Sequence, residues 1–110
     1  MSDHEKLARM FKVLSVETRL RMIGLLLAHP LCVNALARRL GITPAAVSQH
    51  LRVLRDAGLV AANRQGNFMH YRVNAGVLEL WDKEMRGLLR PAAPRPGLLG
   101  RFHPDPEHKE

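Results

Sequence analysis

The sequence predicts a mainly α fold with a small β-hairpin: five helices and a two-stranded wing, arranged as a winged helix-turn-helix. Three observations predict it. Leu36–Leu51 reads as helix, glycine turn, helix. After Gly58 the helical spacing of apolar residues gives way to two short β-type runs around a turn. The positive charge is concentrated on this same region. All eight cations from Arg19 to Arg72 are arginines, opposed only by Asp56, so the formal net charge of +7 resides there while the rest of the chain balances. Planar guanidinium forks suit phosphate and guanine.

The elements follow in order. Leu7, Met10, Phe11 and Leu14 recur at i, i+3, i+4, i+7 and predict a first helix over about Asp3–Leu14. Ser15 is the expected cap of a second helix, with Glu17 in its first turn and Leu20, Ile23, Leu26 and Leu27 burying it. His29-Pro30 ends that helix, because the residue before proline avoids helical backbone. A third helix starts near Val33 and exits at Gly41, whose missing Cβ permits a left-handed turn. Thr43 can cap a fourth helix, with Pro44 at the first position, where no N–H is needed. Val47, Leu51 and Leu54 form its apolar stripe, and Gly58 closes it. Leu59–Ala62 and Phe68–Val73 read as strands. Asn63–Asn67 reads as the turn between them, with Arg64 near the tip. Asn74 can cap a last helix reaching about Leu89, with Val77, Trp81, Met85 and Leu88 as its stripe. Residues 1–90 are expected to form one DNA-binding and dimerisation domain. Residues 91–110 hold five of the seven prolines and are expected to be a disordered tail.

At about 100° per residue, Ala45, Ser48, Gln49 and Arg52 fall on the side of the fourth helix away from its apolar stripe. A helix in a DNA groove needs that division, one side packing on its own protein and the other offering hydrogen bonds to base edges. Ser48 and Gln49 are the expected base contacts. Thr43, Ala45 and Arg52 flank them on phosphate or thymine methyl groups. Arg38, Arg39 and Arg64 are expected to hold the backbone of a duplex operator with imperfect palindromic symmetry. The alternative is a winged-helix module that binds protein or RNA without regulating transcription.

Other classes are disfavoured. No apolar run approaches the roughly 20 residues that span a bilayer, and Ser2-Asp3-His4-Glu5-Lys6 does not resemble an export segment. The expectation is a cytoplasmic protein without membrane association. A single cysteine, Cys32, allows no intrachain disulfide and no four-cysteine zinc framework. No nucleophile–base pair is evident, since Ser48 and His50 lie two residues apart and point in different directions. An enzyme is not expected. Leu7, Phe11, Leu14, Val77, Trp81 and Met85 make the end helices more apolar than so small a core requires, which predicts a dimer interface; closing the monomer core is the competing use.

Three segments resemble the ArsR (arsenic-repressor) family of winged helix-turn-helix regulators. They are Ser15-Val16-Glu17-Thr18-Arg19-Leu20-Arg21-Met22-Ile23, Leu31-Cys32-Val33-Asn34-Ala35-Leu36-Ala37, and Ala46-Val47-Ser48-Gln49-His50-Leu51-Arg52-Val53-Leu54-Arg55-Asp56-Ala57-Gly58-Leu59-Val60. The resemblance runs from about Leu7 to Leu89 and implies a homodimeric repressor that leaves its operator when an effector binds. The arsenic- and cadmium-type pattern places a second thiol where this chain has Asn34. One thiolate and an amide make a poor soft-metal site, so Cys32 reads as a small packing residue. The zinc-type pattern uses histidine with carboxylates on the last helix. Here that helix carries Glu79, Asp82 and Glu84 with no histidine, and these acids read as a solvated face. His50 reads as a packing or phosphate-contacting residue and His70 as an edge residue of the wing. His103, Asp105, Glu107 and His108 cluster in the tail, with His4 near the other end. Nickel- and cobalt-type relatives use flexible ends in a similar way, which makes His103 and His108 the metal candidates. No cofactor is expected to be required, and an effector metal is left open.

Overall fold

A computed structural model describes residues 2–90. In chain order the elements are α1 (Asp3–Leu14), α2 (Glu17–Ala28), α3 (Val33–Leu40), α4 (Pro44–Asp56), β1 (Val60–Gln65), β2 (Phe68–Val73) and α5 (Ala75–Leu89). The five helices and the antiparallel hairpin are those the sequence predicts. The expected tail, with His103, Asp105, Glu107 and His108, lies outside the described residues.

One core joins every helix to the base of the hairpin. Met22, Leu36, Val47, Leu54 and Leu59 are fully enclosed, with Leu51 beside them, and Leu7, Met10 and Trp81 close the core from the two end helices. Each fully buried Leu or Met contributes roughly 1.5–3 kcal/mol relative to exposure, so the α3–α4 pair is anchored chiefly through its apolar side.

The junction between α1 and α2 departs from expectation. Ser15 is the C-cap of α1: its N–H and its hydroxyl both donate to the Lys12 carbonyl, at 3.3 and 2.9 Å. Val16 takes the N-cap position of α2 without a side-chain bond. One serine between two helices caps only one of them, and the carbonyl left open at the end of α1 claims Ser15. The second helix also buries a different stripe. Met22, Ile23 and Leu26 face the core, whereas Leu20 and Leu27 are 52% and 57% exposed.

The turn between α3 and α4 follows the sequence closely. Gly41 adopts φ +70°, and its N–H donates to Ala37 at 2.9 Å. The Thr43 hydroxyl accepts from the Ala46 N–H at 3.1 Å, and Pro44 opens the helix.

The hairpin is longer than expected. Its register runs from Val60↔Val73 to Gln65↔Phe68, which leaves Gly66–Asn67 as a two-residue turn. Gly66 has φ +62° while no non-glycine residue among the described residues has positive φ; glycine first is the requirement of a turn whose twist matches the strands. That tight reversal lets Asn63, Arg64 and Gln65 join the ladder instead of forming a loop. Leu31, just before α3, adds a short third partner: it exchanges hydrogen bonds with Tyr71 at 3.1 and 2.8 Å.

Candidate nucleic-acid interface

The fourth helix is divided lengthwise. Val47, Leu51 and Leu54 are at most 1% exposed, while Thr43, Ala45, Ser48, Gln49 and Arg52 all lie in solvent. Arg38 and Arg39, in the last turn of α3, are exposed as well. Their position favours the negative end of that helix and leaves both guanidinium groups free to reach outward. Among the described residues, none of Arg38, Arg39, Arg52 or Arg64 takes part in an ion pair. Unpaired guanidinium groups keep their full charge for an incoming anion.

Arg64 stands on the hairpin one pair back from the turn, opposite Met69. The strand has no acidic residue, so the tip carries an uncompensated positive charge. All eight residues expected to meet DNA are therefore at the surface, seven of them on the α3–α4 unit and Arg64 on the wing.

Two further residues join this surface that sequence reasoning did not name. Arg55 and Tyr71 line a polar cleft of about 440 Å³ with Ser48, Arg52 and Asp56. Ser48, Leu51, Arg52 and Arg55 are spaced i, i+3, i+4, i+7, which places them along one side of α4, with Tyr71 of β2 sharing the cleft. The spacing was visible in the sequence, but the cleft was not. Phe68 is 63% exposed beside the wing turn and was read only as a strand residue.

His50 takes the packing role. Its Nδ1 accepts a hydrogen bond of 3.4 Å from Arg19 Nε, and Arg19 also donates to the Val13 carbonyl at 3.1 Å. His70 is half-buried on β2, with its Nδ1 enclosed and without a partner.

The expected dimer residues divide. Leu7 and Trp81, at 7% and 9% exposure, belong to the chain's own core instead of its surface. They sit where α1 and α5 close over the other helices, so most of each side chain is covered within the monomer and only an edge of Trp81 borders open space. Leu14, Val77 and Met85 are half-buried against that core, and Phe11 is 41% exposed. Leu27, Leu80, Leu88 and Leu89 extend the exposed apolar area. Leu14, Leu27, Leu78, Trp81 and Met85 surround an open hollow of about 480 Å³.

Among the described residues no group of three or more His, Cys, Asp or Glu side chains is placed to hold a metal ion. Cys32 is a half-buried free thiol at the N-cap of α3, and Asn34 is exposed. On α5, Asp82 pairs with Arg86 at 2.9 Å, and Glu84 pairs with Lys6 of α1 at 3.0 Å. Glu79 is exposed. No helix among the described residues is long and apolar enough to cross a membrane.

The divided helix and its charged wing can be set beside known proteins. The family described as "Bacterial regulatory protein, arsR family" matches residues 17–62. An uncharacterized HTH-type transcriptional regulator of Mycobacterium tuberculosis, Rv0081, is 36% identical over 94 residues, which is 84% of this chain and 82% of that protein. The chain belongs to the arsR family. The crystal structure of Rv0081 has the same winged helix-turn-helix fold, with a TM-score of 0.63 and 34% identity over 78% of this chain and 91% of that one. A second relative, the arsenical resistance operon repressor of Escherichia coli K12, is 40% identical over 68 residues, 60% of this chain and 57% of its own length. This chain thus spans less than two thirds of that repressor. A solution structure of a homodimeric winged helix-turn-helix DNA-binding domain from Mycobacterium bovis, Mb0332, has a TM-score of 0.63 and 26% identity, over 83% of this chain and 87% of that one.

Proposed function

We propose that this arsR-family chain is a homodimeric, sequence-specific DNA-binding repressor of transcription. The observation that carries the reading is the lengthwise division of α4, with Ser48 and Gln49 in solvent and Val47, Leu51 and Leu54 sealed in the core. The repressor name of the E. coli relative and the DNA-binding, homodimeric description of the M. bovis domain support it.

In this reading α4 lies in the major groove. Gln49 pairs with adenine through its amide, and Ser48 reads a neighbouring base edge. Thr43, Ala45 and Arg52 flank that contact. Arg38, Arg39 and Arg64 neutralise phosphates and fix the register without reading sequence. Phe11 and the neighbouring exposed leucines supply the apolar contact between two copies. A two-fold axis between them sets two recognition helices roughly 34–36 Å apart, so the operator is an imperfect palindrome. The protein acts where its operator is, in the cytoplasm. It needs no cofactor to bind DNA, and a lone thiol beside Asn34 argues for release by something other than a two-thiolate metal.

The test is a binding titration against duplex DNA from upstream of the protein's own gene, at low salt, with random duplex and single-stranded RNA as comparisons. Preference for the upstream duplex is expected. A purified dimer that ignores it, or that prefers single-stranded RNA, overturns the reading. The same titration in the presence of divalent metals and arsenite tests the effector. Release by arsenite would overturn the argument from Asn34.

A further inference from the structure

Between α1 and the C-terminal end of α4 lies a groove of about 500 Å³, lined by Lys6, Arg9, Met10 and Val13 on one side, Val53, Asp56 and Ala57 on the other, and Trp81 of α5. It arises because the two helices pack chiefly on other elements, α1 on α2 and α5, α4 on α2, α3 and β1. Its size is that of a small-molecule site, and its composition has the same character: an apolar lining with few polar groups. Among the described residues neither Arg9 nor Asp56 takes part in an ion pair, whereas Lys6 is held by Glu84 at 3.0 Å.

We propose that this groove binds a small monocarboxylic acid with a ring-bearing apolar body, its carboxylate on Arg9 and its ring against Trp81, Met10 and Val53. Three features select that chemistry. The free guanidinium offers a two-pronged donor matched to a carboxylate. The indole, methionine and valine side chains favour a flat apolar body. Asp56 on the opposite wall repels a second negative group, which disfavours diacids and phosphorylated ligands. A second copy of the chain is not the natural occupant. At about 100° per residue, Lys6, Arg9 and Val13 lie on a different face of α1 from Phe11 and Leu14.

The place gives the ligand leverage. Val53, Asp56 and Ala57 belong to the end of the helix that carries Ser48 and Gln49, and Trp81 also borders the hollow lined by Leu14 and Met85. An acid in the groove touches the reading helix and the end helices at once. That regulatory consequence rests on the DNA-binding reading, whereas binding of the acid does not.

Trp81 is the only tryptophan in the chain, so the full-length protein reports on its own groove. Its fluorescence is titrated with 3-phenylpropionate and with the uncharged 3-phenylpropionamide. A saturable change with the acid is expected, weakened about tenfold or more for the amide and for Arg9→Ala, and only partly restored in Arg9→Lys, which keeps the charge without the fork. Arg9 is exposed, and unchanged thermal melts of the variants check that the fold persists. No saturable response, equal binding of acid and amide, or indifference to Arg9→Ala overturns the site. So does a response that vanishes as protein concentration rises, because the groove is then covered by another copy. A protein that binds the acid but no duplex overturns the repressor reading alone, and one that binds duplex but not the acid overturns the site alone.

Discussion

Arg19 of α2 holds His50 of the recognition helix by a 3.4 Å bond from Nε to Nδ1, while its Nη1 reaches the Val13 carbonyl near the end of α1 at 3.1 Å. One guanidinium thus links three helices, and the imidazole proton of His50 is placed on Nε2. Removing Arg19 frees two acceptors, while removing His50 frees one donor. Arg19→Ala is therefore expected to cost more stability than His50→Ala in urea unfolding. Their double mutant should show a coupling of about 0.5–1.5 kcal/mol. Additive effects would mean the bond contributes nothing in solution.

In the DNA-binding reading, the exposed face of α4 and the wing arginine have separable roles. Gln49→Ala is expected to weaken operator binding by about 1–3 kcal/mol and random-duplex binding little. Arg64→Ala should weaken both alike and lower the salt slope by about one unit. Binding isotherms on both duplexes at several salt concentrations separate these outcomes. Undiminished discrimination in Gln49→Ala would remove that residue from base reading.

Gly41 sits at φ +70° with nothing within 4 Å of where a Cβ would stand. A side chain there meets no neighbour, so any loss of stability comes from backbone conformation alone. Gly41→Ala is expected to cost about 1–2 kcal/mol in denaturant unfolding, and Gly41→Asn less, because asparagine tolerates left-handed backbone.

Glu5 closes a reciprocal cap on α1: its carboxylate accepts from the Ser2 N–H at 3.0 Å, and its own N–H donates to the Ser2 hydroxyl at 3.1 Å. The Ser2 backbone bond, and then the Ser2 hydroxyl, hold the Glu5 carboxyl below the usual carboxylate range. A depressed folded value stabilises the helix end above the unfolded value, and that contribution is lost as pH falls through the folded one. Protection of the amides at the start of α1, taken relative to the intrinsic exchange rate at each pH, should fall on acidification below the usual carboxylate range. Glu5→Gln, which keeps the cap without the charge, should lose that dependence.

Local chemistry made much of this legible. Gly41, Thr43 and Pro44 each impose one backbone requirement, and the turn they predict is the turn that forms. The Ser48–Gln49 side of α4 followed from helical spacing alone. The misreadings share a cause, which is competition for a partner that lies elsewhere in the fold. Ser15 suits either adjoining helix, and only the geometry of the Lys12 carbonyl decides between them. Leu20 and Leu27 obey the helical period of α2 as well as Leu26 does, but periodicity does not say which part of a wide stripe is covered. Leu7 and Trp81 had two uses open to them, interface or core, and nothing in their neighbours revealed how tightly α1 and α5 close over the core. Arg55 and Tyr71 come to one cleft only through the tertiary fold, being sixteen residues apart on different elements.

The paired backbone bonds between Leu31 and Tyr71 weld the segment before α3 to the middle of the wing. The tie falls two pairs below Arg64 on the ladder, so it anchors the base of the hairpin to the fold that carries the α3–α4 unit. In the DNA-binding reading, a head anchored in this way acts as a caliper, sensing how far one groove of the duplex stands from the next. Sequences of identical half-site bases but different helical twist present different spans to it, and flexible DNA must adapt to the protein where the protein does not yield.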